Sequence, residues 1–524
     1  MARLQKKEWL KNAVFYQIYP TSFYDSNGDG IGDINGIIQK LDYVQKLGCN
    51  GIWLNPCFKS AFRDGGYDVI DYYKVDPRFG TNEDLVRLFE AARQMGIKVI
   101  LDLIVGHTSD QCEWFIQSSK KEKNEYSDYY IWTDCVWENR LDYKMVNGTA
   151  ERDGNYITNF FAFQPALNFG FVNPQKPWQK HYLDKSFEKM HDLVIDIMEF
   201  WLGKGADGFR VDMADSLIKG DDNGEANAWL WDKLITRIEQ KYPDAIFVSE
   251  WCNPPVAVAK GKFDIDFMIH IRGQGYNSLF RYEKDVKAYG PYQGQSYFRK
   301  NSSASFEPFA SEYLSYISAL NGKGYLSIPS GNHDLSRISI GRTDEEIIAA
   351  MAFVLTIKSV PFIYYGDEIG MRYIEGLSKD GGYDRTGSRT PMQWDTTKNK
   401  GFSRADQIYL PVHDDDRYTV ERQEKCGGSI LNYTKELINI RKTYSALWAD
   451  SEIEFLSGYE DDILVYSRKS QTQKMLVCIN CKGAKKSMQI TAKNFSVISS
   501  LNAQADYNSV CFADTGYIIL LLED

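Results

Sequence analysis

Four stretches of the chain close an apolar run with groups that hold charge or trade protons. DLIVGH runs from Asp102 to His107, GFRVDMADS holds Arg210 and Asp212, FVSEW contains Glu250, and SGNHD carries His333 and Asp334. A single carboxylate after a strand is ordinarily a cap or a surface group. Asp212, Glu250 and Asp334 together, with His107, His333 and Arg210 at successive run ends, suit general acid–base and nucleophilic chemistry. Arg210 lies two residues before Asp212, so on a strand both side chains face the same side. A fixed cation there favours the ionised carboxylate. Glu250 is followed by Trp251 and has no basic residue beside it in sequence. A less polar setting raises a carboxyl pKa and keeps the group protonated.

A second group of oxygens lies near the start, in DSNGDGIGDI at 25–34. It begins like an EF-hand loop, but position 12, where a bidentate Glu is needed, is Gly36. The upstream AVFYQIYP reads as a strand rather than an entering helix. The carboxylates of Asp25, Asp29 and Asp33, the amide of Asn27 and the carbonyl of Ile31 suit a hard cation such as Ca²⁺. The same Gly, Asp and Asn content suits a turn with no metal.

These residues need a frame. Short apolar runs at Val14–Tyr19, Gly51–Asn55, Val99–Leu103, Gly208–Asp212, Ile246–Glu250, Phe263–Met268, Tyr325–Ile328 and Pro361–Tyr364 alternate with helical patterns. Two such patterns are Thr81–Met95 and Ser186–Gly203. Thr81 and Asp84 have the spacing of a capping box. Eight strand–helix units predict an α/β fold, a parallel (β/α)8 TIM barrel. The structural runner-up is a doubly wound sheet, weakened because no G-x-G-x-x-G follows the first run. Aromatic and turn-rich residues at 107–173, including YSDYYIWTDCVWENR, carry no barrel unit and predict a small domain inserted after strand 3. Alternating patterns from about residue 450 (ILVYSR, MLVCIN, SMQITA, YIILLLE) predict a C-terminal antiparallel β-sandwich. The expected division is 1–106 with 174–448 for the barrel, 107–173 for the insert and 449–524 for the sandwich.

Bulk properties exclude some classes. The 524 residues carry a net charge of −10 with no concentrated Lys/Arg stripe, so nucleic acid is not an expected partner. The N-terminus lacks an apolar signal segment, and no run is long enough to span a membrane. A cytoplasmic protein, monomeric or weakly dimeric, is the simplest expectation. Nine scattered cysteines include one C-x-x-C, Cys478 with Cys481, without a second pair at zinc spacing. Structural thiols are expected. Aromatic residues make up 14% of the chain, which suits stacking on flat ligand faces but equally a large core.

The joint pattern resembles glycoside hydrolase family 13, the α-amylase superfamily, over essentially the whole chain. The four stretches quoted first are its core motifs. QPALN at 164–168 matches a fifth, and GGYDVIDYY at 65–73, YYGDEIGM at 364–371 and SRTPMQWD at 388–395 match flanking pieces. The resemblance implies a retaining glycosidase, whose two carboxyl groups stand about 5–5.5 Å apart. It makes Asp212 the nucleophile, Glu250 the general acid/base and Asp334 the third carboxylate, which grips sugar hydroxyls. It places His107, His333, Gln164 and Arg210 at the substrate, with Tyr67 stacked on a sugar face. It implies that the 25–33 loop holds a structural Ca²⁺ or Mg²⁺ through Asp25, Asn27, Asp29, Asp33 and the Ile31 carbonyl. The expected partner is a small oligosaccharide.

Within the family, chain-internal α-amylases commonly carry Lys and His three and four residues after the nucleophile. Here these are Asp215 and Ser216. Exo-acting α-glucosidases instead pair an Asp before the G-Y-D stretch with an Arg near TPMQW. Asp64 fits, with Arg385 or Arg389 as its partner. The resemblance thus points to exo-action on short α-glucans. An endo-acting α-amylase, a transglycosylase or isomerase such as trehalose synthase, and a non-catalytic carbohydrate-binding protein are the other readings. Gly106 stands where the family usually has an Asn that often ligates calcium, so no calcium is expected there.

Overall fold

All eight apolar runs form the strands of one parallel sheet, because each is short, continuous and buried on both faces. They are β1 (Phe15–Ile18), β2 (Gly51–Leu54), β3 (Lys98–Leu103), β4 (Gly208–Val211), β5 (Ile246–Ser249), β6 (Ile265–Phe267), β7 (Tyr325–Ser327) and β8 (Phe362–Tyr364). The computed structural model describes residues 7–138, 143–281, 295–490 and 494–523. Asn139 and Arg140 of the expected insert, and Thr491 and Ala492 of the SMQITA run, lie outside them. The strand order is β7-β6-β5-β4-β3-β2-β1-β8. Across the remaining seam the Val360 amide donates to the Leu326 carbonyl (2.8 Å) and the Ser330 amide to that of Phe362 (2.9 Å). The sheet is therefore a (β/α)8 barrel.

Alternation along each strand sorts the side chains. Phe15, Trp53, Ile100, Val248, Phe267 and Phe362 point inward and pack together. Phe15 stacks flat on Phe362 with centroids 4.4 Å apart. Tyr16, Ile52, Val99, Phe209 and Phe247 point outward into the larger core under the helices. Above the inner apolar layer the inward positions turn polar at Gln17, Asn55, Asp102 and Arg210, all buried. Active sites sit at this end of such barrels.

The helices follow the expected periodicity. Asn82–Gln94 begins with a complete Thr81–Asp84 capping box and buries Leu85, Leu88, Phe89 and Ala92. Glu188–Lys204 stops at Gly205, whose φ of 113° lies in the region that favours glycine. Between β3 and β4 the chain forms a short helix, Glu113–Ser118, and a hairpin of Met145–Val146 with Tyr156–Ile157. Aromatic packing carries this part, as in the Phe115–Trp132 stack at 5.6 Å.

The C-terminal strands β9 (Glu452–Phe455), β10 (Ile463–Lys469), β11 (Lys474–Asn480), β12 (Lys486–Gln489), β13 (Phe495–Asp506) and β14 (Ser509–Leu522) form an antiparallel domain. They hydrogen-bond into one six-stranded sheet. The reason is the length of β14: its second half pairs with β11 and its first half with β12. Val465, Leu476, Val510, Phe512 and Leu520 fill the core between. Cys478 belongs to that core and Cys481 to the main one, both as buried free thiols.

One buried carboxylate locks the outer layer. Glu368, just past β8, accepts from the hydroxyls of Tyr16 on β1 and Tyr43 on the helix Leu41–Leu47, each at 2.7 Å. Burial pushes its pKa up to about 7. Between its ordinary range and that value the folded protein keeps a proton that the unfolded chain releases, so this group's stabilising contribution falls as pH rises. Glu368→Gln keeps a neutral group. The melting-temperature difference between variant and wild type is expected to shift toward the variant between about pH 5 and pH 8. A difference that stays constant over that range would show that Glu368 does not titrate there.

Candidate active site

Arg210 organises the polar end of the barrel. Its Nη1 donates to Asp102 Oδ1 (2.8 Å) and Asp212 Oδ1 (2.9 Å), and its Nη2 lies 2.7 Å from Glu250 Oε1. The guanidinium lies over the Trp53 ring at 4.9 Å. Asp102 is held in turn by Trp53 Nε1 (2.9 Å) and the Tyr67 hydroxyl (3.1 Å). Glu250 therefore has a basic neighbour, contrary to the expectation from its sequence flank. Arg210 pairs across strands with Val248, two residues before Glu250, and cross-strand neighbours do not show in local sequence.

Arg210 does not act on Asp212 alone. One guanidinium is divided among three carboxylates. Burial pushes Asp212 well above the usual carboxylate range, Glu250 adds to this, and Arg210 opposes it. Burial also raises Glu250, against the pull of Arg210. Both carboxyls are therefore shifted upward, chiefly by burial, and they titrate as a pair.

Asp334 lies in the opposite regime. Its Oδ1 accepts from Arg385 Nη1 (2.8 Å) and Arg389 Nη2 (2.9 Å), and His333 Nε2 lies 3.2 Å from Oδ2. Burial works to raise its pKa, but His333, Arg385 and Arg389 outweigh it and hold the carboxyl well below its ordinary value. Arg385 also reaches Asp64 through Nη2 (3.1 Å), while Gln164 Nε2 donates to the other Asp64 oxygen (2.9 Å). Of the two arginines expected to compete for Asp64, Arg385 makes the ion pair. Arg389 serves Asp334 and the His333 carbonyl.

A cavity of about 240 Å³ opens among these groups. Asp64, Tyr67, His107, Asp212, Glu250, Asp334 and Arg385 line it. This volume is at the small end for ligand sites and suits a single sugar ring. Arg210, Gln164, His333 and Arg389 stand behind the lining. Both His333 nitrogens are engaged: Nδ1 lies 3.0 Å from Gln17 Nε2, and Nε2 faces Asp334. Tyr67 stacks on His333 with centroids 5.2 Å apart. His107 is neutral, since burial lowers its pKa to about 4.

Asp215 and Trp251, noted above beside Asp212 and Glu250, line the cavity too, together with residues that sequence reasoning missed: Phe160, Met213, Ile271 and Arg272. Phe160 had a signal, the aromatic run before QPALN. Arg272 had none, because it sits on an irregular loop after β6. A further missed group is Asp266 on β6. It accepts from the amides of Trp251 (3.1 Å) and Asn253 (2.8 Å) and from Ser249 Oγ (2.7 Å), so it holds the turn that carries Glu250. Gly106 is also explained: a Cβ there would lie 2.8 Å from Asn159 Nδ2. Asn159 in turn accepts from the buried Lys219 ammonium at 2.8 Å.

The 25–33 loop satisfies its own oxygens. Asp25 accepts from the amides of Asn27, Gly28 and Gly30 and from Ser403 Oγ. Asn27 accepts from the Asp29 amide and Asp29 from that of Ile31. Asp33 caps the helix Ile34–Gln39 by accepting from Gly36. Among the described residues no three His, Cys, Asp or Glu side chains converge as metal ligands. The loop's oxygens thus accept from its own backbone amides, and no step below runs through a bound cation.

The profile of the family described as "Alpha amylase, catalytic domain" matches residues 17–450. The chain belongs to the α-amylase family. It is similar to trehalose synthase/amylase TreS of Mycolicibacterium smegmatis, at 31% identity over 97% of this chain and 88% of that one. It is similar at 31% to an oligo-1,6-glucosidase of Heyndrickxia coagulans, over 90% and 92% of the two chains. A glucan 1,6-alpha-glucosidase of Streptococcus pneumoniae matches at 31% over 94% and 95%. Among solved structures, the trehalulose synthase MutB of Pseudomonas mesoacidophila superposes with a TM-score of 0.82 at 23% identity, covering 98% and 99% of the chains. That last likeness concerns the fold. Among the described residues no helix is long and apolar enough to cross a membrane.

An α-amylase-family glycoside hydrolase needs one carboxylate and one carboxylic acid at the scissile bond. In this cavity Asp212 and Glu250 are the neighbouring carboxyls that could serve as such a pair. Both limbs of a bell-shaped kcat/KM profile on an aryl α-glucoside are therefore expected to belong to this pair. Glu250→Gln cannot lose a proton, so the alkaline limb should vanish. A disaccharide, whose leaving group needs protonation, should lose about 10²–10⁴-fold, more than the aryl glucoside loses. An alkaline limb that survives unchanged in the variant would reassign the acid.

Proposed function

We propose that this enzyme is an exo-acting, retaining α-glucosidase of short α-glucans, joined through 1,4 or 1,6 bonds. In this reading Asp212 attacks C1 of the non-reducing glucose while Glu250 protonates the departing oxygen. The products are a β-glucosyl ester on Asp212 and a shortened glucan. Water, deprotonated by Glu250, then releases glucose with its α configuration retained. Asp334, kept ionised by its two arginines, accepts hydrogen bonds from the ring hydroxyls. Tyr67 and His107 offer a ring face and a neutral imidazole beside them.

The observation that carries this reading is the Asp64–Arg385 ion pair. Asp64 follows β2 and Arg385 follows β8, so the pair ties two loops over one side of the cavity. Both side chains are 7% exposed. Gln164 from the segment between β3 and β4 fixes the same carboxylate. A glucan chain cannot continue through groups held this way, which favours attack on a terminal glucose. Asp215 and Ser216, in place of the Lys and His common in chain-internal amylases, agree with it. The relatives named oligo-1,6-glucosidase and glucan 1,6-alpha-glucosidase support the substrate class. The relative named trehalose synthase/amylase supports a second reading, in which a sugar replaces water on the same ester.

A time course on two maltoheptaoses, one with its non-reducing end blocked, tests the mode of attack. Only the free substrate should be cut, releasing one glucose at a time. Equal cleavage of both would mean an open cleft and an endo-acting amylase. Arg385→Ala should unseal the pocket and weaken Asp334, lowering kcat/KM on the free substrate by at least about 100-fold. Asp212→Asn should lower turnover by about 10⁴-fold or more without changing the thermal unfolding profile. A variant that retains wild-type rates would show that Asp212 is not the nucleophile.

A further inference from the structure

A buried lysine that the reaction does not use stands behind the wall of the cavity. Lys219, on the loop after β4, is 9% exposed. Its Nζ donates to two neutral oxygens, Asn159 Oδ1 (2.8 Å) and the Ser216 carbonyl (2.5 Å). Its backbone is pinned to the segment between β3 and β4. There the Lys219 amide donates to the Gly170 carbonyl and the Val172 amide to the Lys219 carbonyl, each at 3.0 Å. Burial lowers the lysine pKa to about 8 against the pull of Asp215, so the group is still an ammonium at neutral pH. Asn159 links this ammonium to His107, which lines the cavity. Asn159 Nδ2 lies 3.3 Å from His107 Nδ1 and donates to Ser216 Oγ (2.8 Å), which donates to the Met213 carbonyl (2.7 Å). The other His107 nitrogen, Nε2, lies 3.1 Å from the Tyr67 carbonyl.

The two ends of this chain fix the protons along it. An ammonium only donates and a carbonyl only accepts. Lys219 therefore takes the Asn159 oxygen, and the amide NH2 is left to face His107. Nδ1 must then accept, so it carries no proton. The Tyr67 carbonyl requires a proton on Nε2. The ring meets both demands only as the neutral Nε2–H tautomer, because the bond made by one ring nitrogen decides the state of the other. An acceptor in place of the amide NH2 would call a second proton onto Nδ1 and turn the ring into a cation. In the α-glucosidase reading, positive charge builds on the sugar ring in the transition state. A cationic imidazole in the cavity wall would oppose it. Resting on that reading, we propose that Lys219 and Asn159 are positioning residues that hold His107 neutral, with its Nδ1 bare, while the glycosidic bond breaks.

Asn159→Asp tests this with little change in shape, and its carboxylate keeps the Lys219 contact. Lys219→Met frees the amide to turn. Protein labelled with ¹⁵N-histidine reports the six imidazoles without any substrate, and His107→Gln identifies the signal at issue. At pH 7 wild type should show a bare Nδ1 and a protonated Nε2. In Asn159→Asp both nitrogens should be protonated, and in Lys219→Met the bare Nδ1 signal should weaken. On p-nitrophenyl α-glucoside, Asn159→Asp should lower kcat about 10- to 100-fold and move KM far less, because the new charge opposes the transition state alone. A protonated Nδ1 in wild type, or wild-type ring signals in either variant, would overturn the proposal. So would a charged His107 at wild-type kcat. Wild type and variants that give the expected ring signals but cleave no α-glucoside would sink the glucosidase reading and leave the proton arrangement standing.

Discussion

A guanidinium with 1% of its residue surface exposed, shared by three carboxylates, is the interaction on which the rest of this site depends. Isolated buried charges are very costly, and even paired ones seldom stabilise a fold. Arg210 is therefore better understood through what it positions than through what it stabilises. From one strand it fixes Asp102 on β3, Asp212 just past β4 and Glu250 just past β5. A lysine could not hold three directions at once, because only the planar fork presents donors along fixed axes. The barrel supplies the other half of the arrangement. Its parallel register brings Arg210 level with Asp102 on one side and Val248 on the other, so a single side chain reaches both neighbours.

Carboxylates outnumber cations around Arg210, while arginines dominate around Asp334. These two regimes share one cavity and set different protonation states in residues of the same chemical type. On the Arg210 side, burial wins and the carboxyl pKa values are raised. On the Asp334 side, two guanidiniums and His333 win and the carboxyl stays ionised. The difference between these carboxyls follows from how many cations each has to itself.

Much of this was legible in the sequence, and the boundary falls where local pattern ends. The eight strands could be read because a doubly buried strand is a continuous apolar run with little else to be. Thr81 and Asp84 could be read because a capping box is local. The candidate site residues could be picked out because barrel chemistry collects at strand ends. The contact of Arg210 with Glu250 was hidden, since it crosses strands. So was the choice of Arg385 over Arg389, which depends on how a loop after β8 folds back over β2. The way the C-terminal strands join was hidden for a related reason. One 14-residue strand, β14, serves two partners, and its length is not visible in the short alternating runs. The loop at 25–33 shows the limit in another way. Its residue types suit a cation, yet its backbone amides compete for the same oxygens, and composition cannot rank the two.

Two backbone distortions show how firmly the pair is held. Met213, next after Asp212, has φ of 41°, and Cys252, two after Glu250, has φ of 58°. Neither is glycine, so each conformation costs of order 1–3 kcal/mol and persists only where neighbours enforce it. For Met213 the enforcer is Glu250 itself, whose Oε2 accepts from the Met213 amide at 3.0 Å. For Cys252 it is Asp266, which gathers the amides of Trp251, Cys252 and Asn253 onto one carboxylate. Glu250 thus holds the turn after Asp212, and a carboxylate on the next strand holds the turn after Glu250. Each of these two turns is fixed from the strand that follows it. Sites of this kind tolerate loop variation around the rim, because the constraints on the reacting pair run through the barrel rather than through the loops.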